Sequence, residues 1–190
     1  MSSGSIQFYS KSRDENAKHL SNFTILDPPL IFRQKEFISV EHAFQASKYL
    51  FTEKQELFHD FSKSGRWGMD QPSKIKSKGG KAHMKKEEVE LSINDWNRLS
   101  TTFMKKILKQ RLEVDSRFRS LLEEFAMKNV HLYHFERSSS ESFWGGCFPK
   151  SDNKVCRGEW KGQNHLGISM MELGRELMDQ RCLNVERYEI

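Results

Sequence analysis

The chain has 190 residues, a length that fits one domain able to bury a core without cross-links. Its residues are 36% hydrophobic and 12% aromatic, with 14 Phe and 4 Trp, which excludes a disordered polyelectrolyte although 30% are charged. No uncharged apolar run approaches a membrane span and the N-terminus has no signal-peptide core, so an intracellular protein without a membrane partner is expected. The three cysteines, Cys147, Cys156 and Cys182, are odd in number and lack C-x-x-C spacing. That usage suits a reducing compartment, cytoplasmic or nuclear, and disfavours a zinc site built from cysteines.

In chain order, residues 1–5 are small and polar and are expected to fray. Ile6 to Tyr9 reads as a short strand. Asp27-Pro28-Pro29 breaks the chain, since proline fixes its own φ and pushes the preceding residue to extended geometry. Leu30 to Phe32 and Phe37-Ile38 then read as two strands joined through residues 33–36. Ser39 is the N-cap expected for a helix from Val40 to about Phe51. The net charge of +5 and pI of about 9.1 owe much to the lysine-rich stretch 74–81, continued by Lys85 and Lys86. That stretch is either an anion-facing patch or an ordinary solvated loop.

Asn94 is the expected cap of the next helix, with Trp96, Leu99, Phe103, Ile107 and Leu108 at helical spacing. Asp115 is the expected cap of a third helix, striped by Phe118, Leu121, Leu122 and Phe125. Val130 to Phe135 is strand-like. Residues 137–162 form a long Ser-, Gly- and Lys-rich segment of the kind that often carries function. Leu166, Met170, Leu173 and Leu177 mark a last helix. The expected architecture is α+β: a single, compact, mostly helical domain over residues 6–180 with a small β-sheet and a tail at 181–190.

One constellation carries chemistry. On a helix starting at Val40, Glu41, Gln45 and Lys48 share a side, while Val40, Phe44, Ser47 and Phe51 share another. A carboxylate, an amide and an amine therefore project in a row beside an apolar anchor. Glu41 in that row can serve as acid, base or charge stabiliser, and Lys48 as nucleophile or anion contact. The plain alternative is a solvated polar stripe with a glutamate favouring the helix dipole. His131 and His134 fall on opposite faces of their strand, so they do not form a shared metal site.

Several segments occur in a particular order: Leu20-Ser21-Asn22-Phe23, the run Ser39 to Lys48, Asp95-Trp96, Met104, Glu136, Phe143-Trp144-Gly145-Gly146 and Gly162-Gln163-Asn164-His165-Leu166-Gly167. Together they resemble the NADAR (YbiA-like) family from about Phe8 to Leu177. The resemblance implies an N-glycosidase that needs no cofactor. Members act on ribosylamine-type intermediates of riboflavin synthesis or remove ADP-ribose from the guanine amino group. The second substrate is favoured here, with ADP-ribosylated guanine in nucleic acid or nucleotide as substrate and ADP-ribose as product.

The same resemblance implies catalytic roles for Lys48, which attacks C1 of the sugar and forms a Schiff base, and for Glu41. It adds Glu141, which stands where the family favours an aspartate. It implies substrate contacts from Ser21, Asn22, Phe23, His42 and Gln45. Trp144 is expected to stack on a base or ribose or to pack in the core, and Gly145 and Gly146 to permit close backbone approach. Asn164 and Gly167 either present helix-start N–H groups to pyrophosphate or simply shape the helix entry. A binding module for ADP-ribose or NAD without turnover is the competing class, and a plain RNA-binding protein a third.

Overall fold

The computed structural model describes residues 4–136, 142–147 and 160–186. It is α+β and mostly helical, as expected. Its contacts divide the chain into two compact units, one containing residues 22–116 and the other the residues before 22 and after 116.

In the 22–116 unit, β2 (Leu30–Phe32) and β3 (Lys35–Phe37) form an antiparallel hairpin with Leu30 opposite Phe37. The two linking residues, Arg33 and Gln34, have φ of 48° and 62°, the left-handed pair of a two-residue turn that twists with its strands. Next comes α2 (Val40–Tyr49). Ser39 caps it as expected: its extended backbone lets Oγ accept from His42 N–H. The helix packs against a 3₁₀ turn over Gln55–Phe61, against α3 (Pro72–Lys78) and against α5 (Ile93–Val114). A two-turn helix, α4 (Lys81–Lys86), follows α3 after the pair Gly79-Gly80. The lysine-rich stretch is thus two short helices rather than a loop.

Ring contacts hold this unit together. Phe44, Phe51 and Phe103 surround Trp96 with centroids 5.1, 5.7 and 6.4 Å away, and Tyr49 and Trp67 flank Phe61 at 5.2 and 4.9 Å. Helix α5 begins at Ile93 after Ser92, two residues before the expected cap at Asn94; Ser92 Oγ donates to Asp95 Oδ2 at 2.8 Å, tying down the first turn. Near its end the fully buried Arg111 donates from Nε and Nη2 to Asp115 Oδ2, both at 2.9 Å. Asp115, expected to cap the next helix, stands directly before its first residue, Ser116, and also compensates a buried guanidinium, which would be costly to leave without a carboxylate.

In the other unit, β1 (Ser5–Phe8) pairs in parallel with β4 (His131–His134), Ser5 opposite His131. The short helix α1 (Glu15–His19) is capped by Asp14, whose side chain accepts from Ala17 N–H. Helix α6 (Ser116–Met127) buries Phe118, Leu121, Leu122 and Phe125 as its spacing implied. Helix α7 (His165–Glu186) packs on β4 and runs beyond residue 180, where a tail was expected. No described helix is long and apolar enough to cross a membrane.

His42 ties the cap of α2 to pH. Its ring is fully buried, with Nδ1 2.8 Å from Ser39 Oγ. Burial pushes its pKa from 6.5 down to about 4, against an opposing pull from the backbone and carboxylate of Asp70. The unfolded chain therefore takes up this proton first, and folding stability falls as pH drops below about 6.5 toward 4. Denaturation curves should show wild type losing on the order of 3 kcal/mol more than His42→Gln between pH 7 and pH 4; parallel losses would rule His42 out as the source.

Candidate active site

Helix α2 is buried all round. Glu41 and Gln45 are about as buried as the apolar residues beside them, and only Lys48 and the C-terminal end remain partly open. The solvated-stripe alternative therefore fails. Charged and polar groups lie inside this unit, and such groups are stable there only when partnered. Gln45 Nε2 donates to Glu41 Oε1 at 2.7 Å. The Glu41 backbone N–H donates to Asn22 O at 3.0 Å, which brings Asn22 to the start of the helix. The Asn22 side chain lies against Met104, Nδ2 3.8 Å from Sδ, and its Oδ1 is buried without a hydrogen-bond partner.

Lys48 ends the row. Its Nζ donates to Gly79 O at 2.8 Å and lies 5.9 Å from the Trp96 ring centroid. Burial is the largest influence on this amine and lowers its pKa; the Glu41 carboxylate opposes that and the Lys76 charge adds to it. The net direction is downward from 10.5, toward the neutral form that a nucleophile requires.

Lys48 opens onto a cavity of about 870 Å³, within the usual range for small-molecule sites. Met84, Val89, Ile93 and Trp96 give it apolar surface, and Lys81, Lys85, Glu53, Glu88 and Glu90 give it charge of both signs. Sequence reasoning marked Trp96 as a helix stripe and family signature but missed it as a cavity wall. The lysine run was noticed, yet only the fold shows that Lys81 and Lys85 are the members facing the cavity. Gly79 lay within that run without being read as a site residue.

The remaining expected site residues take other positions. His42, expected to touch substrate, is withdrawn from solvent, and one of its ring nitrogens, Nδ1, is engaged at the helix cap. Phe23 is half-buried in the same unit. Ser21 is buried in the other unit, its N–H bonded to Lys18 O. Glu141 lies outside the described residues, as does most of the 137–162 segment.

Asn164 and Gly167 make close contacts within the fold. The Asn164 side chain accepts from His134 N–H at 2.9 Å and donates to Leu132 O at 2.8 Å, so its amide grips β4 from both sides of Tyr133. A Cβ on Gly167 would lie 2.2 Å from Leu132 O, so glycine is needed for that closeness. The N–H groups expected to meet pyrophosphate are already used: Gln163, Asn164, His165 and Leu166 donate to the carbonyls of Ser142, Gly145, Phe143 and Trp144. Trp144 is half-buried, its ring edge-on to Phe143 with centroids 5.0 Å apart. Gly145 and Gly146 do mediate close approach, but to the chain's own His134 and Lys161 carbonyls. Glu136 accepts from the Ser142 hydroxyl, which in turn accepts from Gly145 N–H.

The geometry is that of an α+β protein with a polar triplet on a buried helix, ending in an amine that opens onto a mixed-charge cavity. The family model described as the NADAR domain matches residues 7–178, and the chain belongs to that family. Among curated proteins it is similar to N-glycosidase YbiA of Escherichia coli (strain K12), 26% identical over 175 residues that cover 90% of this chain and 88% of the relative. Among solved structures it is similar to the NMR structure of the E. coli protein YbiA, with a TM-score of 0.66 and 24% identity over 96% of this chain and 89% of that one. That likeness supports the fold.

The electrostatics of Lys48 can be checked directly. In an NMR titration of the lysine Cε resonances, Lys48 should titrate below the ordinary 10.5. Glu41→Gln should lower it further, because the carboxylate that favours the ammonium is gone. A Lys48 indistinguishable from surface lysines would contradict the burial argument.

Proposed function

We propose that this protein is an N-glycosidase that releases ADP-ribose from the amino group of guanine, in nucleic acid or nucleotide. The observation that carries this reading is a downward-shifted amine, Lys48, that lines the cavity and shares a helix face with the buried Glu41–Gln45 pair. Family membership and the relative named N-glycosidase YbiA support the reaction class. Lys81 and Lys85 are suited to phosphate oxygens, and Trp96 adds an apolar stretch of cavity wall, which favours a ligand that carries phosphate.

The chemistry proceeds through named groups. As the ribose opens, its ring oxygen takes a proton and the C1–N bond becomes an iminium. The neutral Lys48 amine adds to C1. The guanine amine then leaves with the electron pair of the C1–N bond and a proton delivered through Glu41, leaving a Lys48–C1 Schiff base. Water adds to C1, the Lys48 amine departs, and ADP-ribose is released. The carboxylate of Glu41 also stabilises the positive charge that develops at C1.

Mass-resolved chromatography after incubation with an oligonucleotide ADP-ribosylated on guanine tests this reading, with a ribosylaminopyrimidine phosphate assayed in parallel. The expected outcome is release of ADP-ribose and intact oligonucleotide, with kcat lowered roughly 10²- to 10⁴-fold in Glu41→Gln. Cleavage of the small metabolite alone would move the protein to metabolic clean-up. No turnover of either, with ADP-ribose still bound, would make it a binding module. A rise in KM alone in Glu41→Gln would remove Glu41 from the chemistry.

A further inference from the structure

Gly79, at the C-terminal end of α3, has φ −85° and ψ 10°. Any L-residue adopts that backbone, so conformational freedom does not explain a glycine here. Space does. A Cβ on Gly79 would lie 1.8 Å from Gln45 Oε1, 2.7 Å from Gln45 Cδ and 3.0 Å from Gln45 Cβ. The Gln45 amide donates to the Glu41 carboxylate. The carbonyl of the same glycine receives the Lys48 amine. One residue later on α2, the Tyr49 hydroxyl donates to Lys78 O at 2.9 Å. Consecutive side chains of α2 are thus bonded to consecutive carbonyls at the end of α3, which fixes Gly79 against the polar row.

We infer that Gly79 is a positioning residue for the reaction: its bare Cα leaves the Gln45 amide room to hold Glu41, and its carbonyl fixes the Lys48 amine at the cavity. The inference rests on the reading proposed above, in which Glu41 and Lys48 are the reacting groups. The atoms in the way of a Cβ belong to the Gln45 side chain and not to backbone, so a larger residue displaces the Gln45 amide. Glu41 then loses its neutral donor inside a buried environment, and its carboxylate is no longer aimed. A displacement of that order is costly to catalysis without being costly to ligand binding.

Two measurements decide it. In ¹⁵N NMR spectra of the free protein, the Gln45 side-chain amide should have a shifted, slowly exchanging signal that returns to the position of a free amide in Gly79→Ala. In turnover of the ADP-ribosylated oligonucleotide, and of the ribosylaminopyrimidine phosphate, Gly79→Ala should lower kcat roughly 10- to 100-fold with KM little changed. Because both changes act through one contact, Gly79→Ala combined with Gln45→Ala should be no slower than Gln45→Ala alone. That pair also serves if Gly79→Ala by itself fails to fold, since Gln45→Ala removes the two closest contacts and leaves only the Cβ at 3.0 Å. A Gln45 signal unmoved in Gly79→Ala, losses that multiply in the double variant, or a change confined to KM would overturn the inference. Full turnover by Glu41→Gln would instead sink the proposed reaction, and the Gln45 signal would still decide the placement of Gly79.

Discussion

The site depends on a constraint of burial: α2 is enclosed by its neighbours and yet carries a carboxylate, an amide and an amine. A polar group that cannot reach water must find its partners in the protein. Glu41 finds Gln45, Gln45 finds space because Gly79 has no side chain, and Lys48 finds the Gly79 carbonyl. The cap at Ser39 starts the helix at the residue that puts Glu41 in its first turn. A one-residue shift of that start would turn the polar row about 100° around the helix and into the aromatic contacts.

Magnitudes favour a responsive amine over a fixed ion pair. A hydrogen bond to a charged group contributes about 1.5–3 kcal/mol and a cation–π contact about 0.5–2 kcal/mol. Loss of hydration on burial costs a charged group more than either until its surroundings compensate it. Burial is accordingly the first influence on Lys48, and the attraction of Glu41 only moderates it. The contrast with Arg111 is instructive. There a carboxylate 2.9 Å away meets the guanidinium at two nitrogens and holds the charge in place, whereas Lys48 meets a neutral carbonyl and an aromatic face.

Much of α2 was legible in the sequence, because a Ser N-cap and 3.6-residue spacing are local signals and Glu41, Gln45 and Lys48 emerge on one side from them alone. What escaped depends on contacts distant in sequence. Helices α3 and α4 are seven and six residues long and lysine-rich, too short for an apolar stripe to show. The two strands of the β2–β3 hairpin were legible, but not that its turn narrows to Arg33 and Gln34 at positive φ, which lacks the usual Asn-Gly sign. Gly79 resembles any helix-ending glycine until Gln45, 34 residues away, is seen against it. The Gly162–Gly167 motif was legible as a motif but not as a part: its glycine and asparagine serve the grip on β4, and the helix-start donors are consumed by the loop 142–145.

The central claim is that Lys48 is the reacting amine, and the most direct measurement traps it. Borohydride added during turnover of the ADP-ribosylated oligonucleotide should reduce the Schiff base, and peptide mass spectrometry should find one ADP-ribose-derived adduct on Lys48, absent in Lys48→Ala. An adduct spread over surface lysines such as Lys81 and Lys85, or robust turnover with none at Lys48, would contradict the account.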